Sequence, residues 1–165
     1  MEFEGIAYVS CDFGIVQFNL ATMQFGDTYF IGDNGAEIKV NQTALFNGFI
    51  YAATNNGIRR ATITNQNLID FNQWTTIATG AWSRTTAFGT DLYAINSAGN
   101  IHKFNSGANS FTGIIPLSQP ALDSRATVDY LIVTTSSSIY IYNTQMALVR
   151  QINATQIPES NLSFT

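Results

Sequence analysis

His102 is the sole imidazole in the sequence and Cys11 the sole thiol. A zinc site, or a nucleophile with its base, needs several such groups brought together. No second His or Cys lies at ligand spacing from either, and His102 alternates with Ile101 and Phe104 as a strand side chain does. Asp12-Phe13-Gly14 spells a kinase metal motif, but no other kinase element accompanies it, so it reads as a turn. Asp33-Asn34-Gly35 followed by Glu37 hints at a cation loop. It lacks the further oxygen ligands at fixed offsets that an EF-hand requires, and a tight turn is the better reading. The 11 carboxylates are dispersed. Glycoside hydrolysis needs two acids within about 5 to 10 Å, and most of these sit where turn residues are expected, Asp123 being the best placed. The sequence predicts no catalytic residue, no metal ligand and no cofactor.

Binding chemistry has better candidates. Lys39, Arg84 and Arg125 are spaced to present positive charge near one mouth of a channel, and guanidinium groups suit carboxylate or phosphate. Ordinary solvated or cross-strand bonding is the plain alternative for all three. Trp74 and Trp82 flank the loop 75–81, where exposed indoles would stack on sugar or anchor a protein. Packing in the core is the plain alternative for those two.

The elements that must position these residues are hairpins. Four stretches share one pattern of apolar strand, polar tight turn and second strand, near 6–18, 50–61, 92–104 and 131–142. Gly14, Gly57, Gly99 and Ser138 hold the same turn position, at intervals of 43, 42 and 39 residues. Serine at the fourth predicts a strained or differently shaped turn. A period near 40 with hairpins inside it predicts propeller blades, since helical repeats of similar length need an amphipathic stripe that is missing here. The segment Asn67 to Trp74 suits at most a single helical turn within a loop.

Further strands fall before the hairpins at 37–46, 82–88 and 122–128, and after them at 24–31, 74–79, 110–117 and 148–154. The expected fold is therefore all-β, a propeller of about four four-stranded antiparallel blades in a single domain over 1–165. The first strand of a blade lines the channel. Counting back from the hairpins aligns Gln42, Arg84 and Asp123 there, with Ala44, Thr86 and Arg125 two residues on. No first strand is expected before Ile6, and Ser160 to Thr165 suits the first strand of another unit. Either that strand completes the first blade and closes a small ring, or the chain is part of a larger propeller. The second reading is preferred, and its exposed end blades would then drive homo-oligomerisation.

Composition narrows the partners. Charged residues make up 11% of the chain and the net charge is −4, with only 7 Lys and Arg. A phosphate-backbone binder would need clustered cations, so no nucleic-acid partner is expected. No run approaches the length of a transmembrane helix. Met1 to Gly5 lacks a signal-peptide pattern, so either the protein is cytoplasmic or the sequence begins inside a longer gene, and the repeat pattern favours the second.

The run Phe13-Gly14-Ile15-Val16, Asp27 to Gly35, Ile38-Lys39-Val40-Asn41, Ile50 to Ile58 and Asn67 to Trp74 resembles, in that order, the PorZ N-terminal propeller family of the Bacteroidetes type IX secretion system. The resemblance spans Ile6 to Ile77, under half of the chain. It implies a periplasmic or cell-surface, outer-membrane-associated protein with two propellers and a C-terminal domain. Such a protein works beside the PorU sortase and binds anionic lipopolysaccharide. No functional residue of the family maps onto these positions. The expected role is a non-catalytic binding or scaffold module whose partner is a protein or an anionic glycan. A periplasmic ligand-sensing propeller of a hybrid two-component regulator and a glycan-active enzyme are the alternatives, since fold alone does not fix function.

Overall fold

The structure, a computed structural model, describes residues 1–156. It contains four four-stranded antiparallel sheets, each a simple meander. The first blade comprises β1 (Glu2–Phe3), β2 (Ile6–Cys11), β3 (Gly14–Asn19) and β4 (Gln24–Tyr29). The second comprises β5 (Val40–Phe46), β6 (Phe49–Thr54), β7 (Gly57–Thr62) and β8 (Thr75–Ala78). The third runs through β9 (Trp82–Phe88), β10 (Asp91–Asn96), β11 (Ile101–Asn105) and β12 (Ser110–Ile115). The fourth runs through β13 (Ala121–Ala126), β14 (Tyr130–Thr135), β15 (Ser138–Asn143) and β16 (Leu148–Asn153). These are propeller blades, and the only helical segments among the described residues are single 3₁₀ turns, one of them at Phe71–Gln73. No helix among the described residues is long and apolar enough to cross a membrane.

The chain divides into two compact units, Met1–Thr85 and Thr86–Thr165, with the division inside β9. In the first unit, Tyr8, Ile15 and Tyr29 of the first blade pack with Ile50, Ala52 and Trp74 of the second. In the second unit, Tyr93, Ile95 and Ile101 of the third blade pack with Leu131, Val133 and Tyr142 of the fourth. Burial follows position within the sheet. From Ile50 to Thr54, β6 is buried at every residue, and so is β10 from Leu92 to Ile95. A strand covered on both faces loses the polar–apolar alternation and reads as a continuous apolar run, as Ile-Tyr-Ala-Ala and Leu-Tyr-Ala-Ile do. The last strands are the opposite case. β16 has five exposed residues out of six, and its sequence Leu-Val-Arg-Gln-Ile-Asn carries no such run.

The hairpin turns are built by the residue that ends the second strand. Thr54 Oγ donates to the Gly57 carbonyl at 2.7 Å and accepts from Asn56 N–H at 3.0 Å. Thr135 Oγ makes the corresponding bonds to the Ser138 carbonyl, at 3.3 Å, and from Ser137 N–H, at 3.4 Å, and also accepts from Ser138 N–H at 3.1 Å. Asn96 Oδ1 does the same work for Asn100 N–H at 2.9 Å. Such side chains replace a backbone partner within the turn. Gly57 opens the next strand at φ +107°, where a Cβ would run into the Ala78 carbonyl of β8. Gly14 and Gly99 face the Tyr29 and Gln119 carbonyls in the same way. Gly99 lies within a longer loop, because Asn96 N–H bonds to the Asn100 carbonyl. Ser138 has no positive φ. The fourth turn is thus differently shaped rather than strained, and the serine hydroxyl donates to Asn153 Oδ1 at 3.0 Å instead.

One expectation about the first blade is corrected. A strand does precede Ile6: β1 pairs with β2, Phe3 opposite Ile6 and Glu2 opposite Ala7. Glu4 and Gly5 take φ +49° and +77°, the two left-handed residues of the tight turn that matches strand twist. Two residues are too few to show periodicity, so the strand left no mark in the pattern. The candidate strand at Ser160 to Thr165 lies outside the described residues.

The connection between β3 and β4, and its counterpart between β15 and β16, share a second device. Asn19 Oδ1 accepts from Ala21 and Thr22 N–H, both at 2.9 Å. Asn143 Oδ1 accepts from Gln145 N–H at 3.1 Å and Ala147 N–H at 2.9 Å. Each turn then passes through a left-handed methionine, Met23 at φ +55° and Met146 at φ +59°.

Candidate functional site

The first strands carry a polar middle. Gln42 lies opposite Ala53 on β6, and Asp123 lies opposite Thr134 on β14, so the two hold equivalent places, as the alignment of the repeats predicts. One residue further on, Thr43 and Ser124 are buried, as is Thr85 of β9. In the first unit, Gln42 Oε1 accepts from Thr85 N–H at 3.0 Å. There too Asn41, the extra residue of a bulge in β5, donates to the Trp82 carbonyl at 2.8 Å and to Asn55 Oδ1 at 3.0 Å. In the second unit the Thr86 and Ser124 hydroxyls are 2.9 Å apart. These short polar links hold neighbouring first strands side by side.

The predicted cations are distributed over this frame. Lys39, just before β5, pairs with Asp12 in the first hairpin turn at 2.9 Å, both side chains being well exposed. Arg84 Nη1 donates to the Ser83 carbonyl at 2.7 Å. Lys39 and Arg84 belong to the first unit and Arg125 to the second. Arg125 Nε bonds to Asp123 Oδ2 at 3.2 Å, which neutralises the acid that the sequence marks as best placed for chemistry. Asp123 also accepts from Ser124 N–H at 2.9 Å. Among the described residues no group of three or more His, Cys, Asp and Glu comes together to hold a metal.

The two indoles do not form a stacking platform. Trp74 and Trp82 are each 6% exposed. Trp74 Nε1 donates to the Leu68 carbonyl at 3.0 Å, and its ring lies 6.3 Å from that of Tyr29. Trp82 Nε1 donates to the Thr79 carbonyl at 2.9 Å. Each ring fills the core while its single polar atom finds a carbonyl, the usual arrangement of a buried Trp. The reading of these residues as exposed sugar or protein contacts is corrected accordingly.

Asp33 does not serve a cation loop. It sits in a 3₁₀ turn with Asn34 and Gly35 in left-handed conformations, and it bonds Arg59 Nη2 at 2.8 Å. Arg59 is 6% exposed, a burial that the letters Arg-Arg in β7 do not announce. His102 lies on β11 with Nε2 3.2 Å from the Asn96 amide, and burial lowers its pKa.

One hollow lies wholly in the second unit, between the β10–β12 part of the third blade and the turn at Thr144–Met146 of the fourth. It has a volume of about 330 Å³. Its floor is an ion pair, Lys103 Nζ to Asp91 Oδ2 at 2.8 Å. Tyr93 OH lies 3.4 Å from the same oxygen, and burial, with Asp91 second, pushes the phenol up to about 12. Ile114, Ile115 and Met146 form apolar walls. None of these residues stands out in the sequence by type. The hairpin register is the signal that finds them. Lys103 is directly opposite Tyr93, and Asp91 is two residues before it on the same face of the strand.

Four-stranded meanders of this form, with polar first strands and with β6 and β10 covered on both faces, define a β-propeller repeat protein. Within that class, residues 3–75 match the family described as the N-terminal beta-propeller domain of PorZ of the type IX secretion system. The resemblance read over Ile6 to Ile77 is thus matched over residues 3–75. Among solved structures, PorZ of Porphyromonas gingivalis, described as an essential bacterial surface component of that system, superposes with a TM-score of 0.68 at 20% identity. That alignment covers 92% of this chain and 20% of PorZ, so the chain spans about a fifth of that protein's length. BamB from Moraxella catarrhalis gives a TM-score of 0.60 at 12% identity, over 93% of this chain and 47% of BamB. The computationally designed Ika8 protein gives 0.62 at 7% identity, over 92% and 47%. All three structural comparisons speak to fold alone. No curated protein matches the chain in sequence.

Proposed function

We propose that this chain is a non-catalytic binding module of an exported, outer-membrane-associated component of a type IX secretion system. The match of residues 3–75 to the PorZ propeller family carries the reading. The engagement of the Asp123 carboxylate by Arg125 Nε and Ser124 N–H supports it, since the acid best placed for chemistry is already tied up within the blade. The partner is a protein of the secretion machinery or an anionic glycan such as lipopolysaccharide. The cations on or just before the first strands, Lys39, Arg84 and Arg125, are the residues proposed to meet it. Each already has an acceptor close by, so they offer directed hydrogen-bond donors rather than a large net charge. Association between copies of the chain is a further part of the proposal.

The test is affinity capture by the tagged chain from detergent-solubilised outer membranes of a Bacteroidetes species that has the secretion system. Enrichment of secretion components or lipopolysaccharide over a tagged unrelated propeller is the expected result. Recovery no greater than with that control overturns the proposal.

A further inference from the structure

We propose that the hollow between the third and fourth blades is a peptide-recognition site, which takes an uncharged, extended segment of a protein partner through one backbone amide and one aliphatic side chain. The inference rests on the binding-module reading and adds to it the place and chemistry of contact. Lys103 and Asp91 stand side by side at 2.8 Å and are only 44% and 28% exposed. Together they carry no net charge, so an ion of either sign gains nothing from one without meeting the other. A peptide group is complementary to both. Its carbonyl accepts from an ammonium with donors to spare, while its N–H donates to a carboxylate with lone pairs to spare.

The walls then select the side chain. Ile115 and Met146 are partly buried against the core of the second unit and border the hollow on its apolar side. Met146 is held there before any ligand arrives. Its N–H bonds to the Asn143 carbonyl at 2.9 Å, and its backbone is fixed in the left-handed region at φ +59°. A wall ordered in advance spares the entropy of ordering it on binding.

The length of the site follows from Ile114. It is the extra residue of a bulge in β12, since Ile101 pairs with Ile115 and His102 with Gly113. The bulge leaves Ile114 39% exposed. A second hollow, of about 430 Å³, shares Lys103 and Ile114 with the first. Two adjoining depressions beside a projecting Ile suit several residues of an extended chain better than a single compact ligand. The same bulge interrupts the free edge of β12, so the segment lies across the blade instead of adding a strand to it.

The experiment is a methyl NMR titration of the full chain, labelled at Met and Ile methyls, with the blocked peptide acetyl-Ser-Leu-Ser-Leu-Ser-amide. Saturable shifts at Met146, Ile114 and Ile115 are expected. Acetyl-Ser-Asp-Ser-Asp-Ser-amide should bind at least roughly tenfold more weakly, and Lys103→Met and Ile114→Asp should each weaken the leucine peptide by a similar factor. Ile114 is exposed, so its variant keeps the test meaningful if Lys103→Met fails to fold. The proposal is overturned if the wild type gives no saturable shift, if the two peptides bind alike, or if binding survives unchanged in Ile114→Asp. Membrane capture that succeeds while this titration fails would remove the peptide site and leave the binding-module reading standing.

Discussion

The buried Arg59 and its exposed partner Asp33 set the clearest stability test for a single residue. Arg59 Nε has no hydrogen-bond partner, so the bond from Nη2 to Asp33 supplies the counter-charge. Water shares the pair, because the Asp33 side chain is 68% exposed. Asp33→Asn should therefore lower the unfolding free energy by about 1–2 kcal/mol, below the cost of breaking a fully buried pair. Adding Arg59→Met should recover much of that loss, since an apolar side chain of similar length removes the unpaired charge. Urea unfolding of the two variants checks both statements. His102 gives a pH test. Burial lowers its pKa in the folded state, so below the ordinary value near 6.5 the unfolded chain binds the proton more readily. The contribution of neutral His102 is thus complete above that value and is lost as pH falls toward the folded pKa. Thermal melts at pH 7.5 and 5.5 should show a smaller acid-induced drop in His102→Gln than in wild type.

For the hairpins, two left-handed glycines separate strain from collision. Gly57 and Gly48 both have positive φ, but a Cβ at Gly48 meets nothing, whereas at Gly57 it meets the Ala78 carbonyl. Gly48→Ala should cost about 1 kcal/mol, the penalty of the conformation alone. Gly57→Ala should cost about 2 kcal/mol or more, because backbone in β8 must move as well. Chemical denaturation of both variants measures the difference. The hairpins were legible because turn glycine and flanking apolar runs act locally. The bulges were not. The extra residues Ile77, Ile114 and Val149 in the last strands of three blades emerge only from cross-strand register. They interrupt edges that would otherwise invite pairing, and their side chains look like ordinary strand residues in the sequence.

At the scale of the molecule, the pattern of apolar runs and turns carried the sheet count and the order of strands. It did so because each blade is a local meander whose contacts lie within about 40 residues. What it carried poorly was burial. Trp74 and Trp82 flank a loop in the sequence yet fill the core. Lys103 and Asp91 come together only when the β10–β11 register is known. A site made by side chains from adjacent blades leaves no spacing signature, because the distance between them depends on how one sheet packs on the next.

The fold rests on packed sheets in which the second strands β6 and β10 are covered on both faces. Amide hydrogen exchange of the native chain, resolved by residue, tests this directly. Amides of β6, β10 and β14 should be the slowest to exchange, and those on the free edges of β4, β8, β12 and β16 should be orders of magnitude faster. Equal protection of second and last strands, or fast exchange throughout Ile50–Thr54 and Leu92–Ile95, would contradict it.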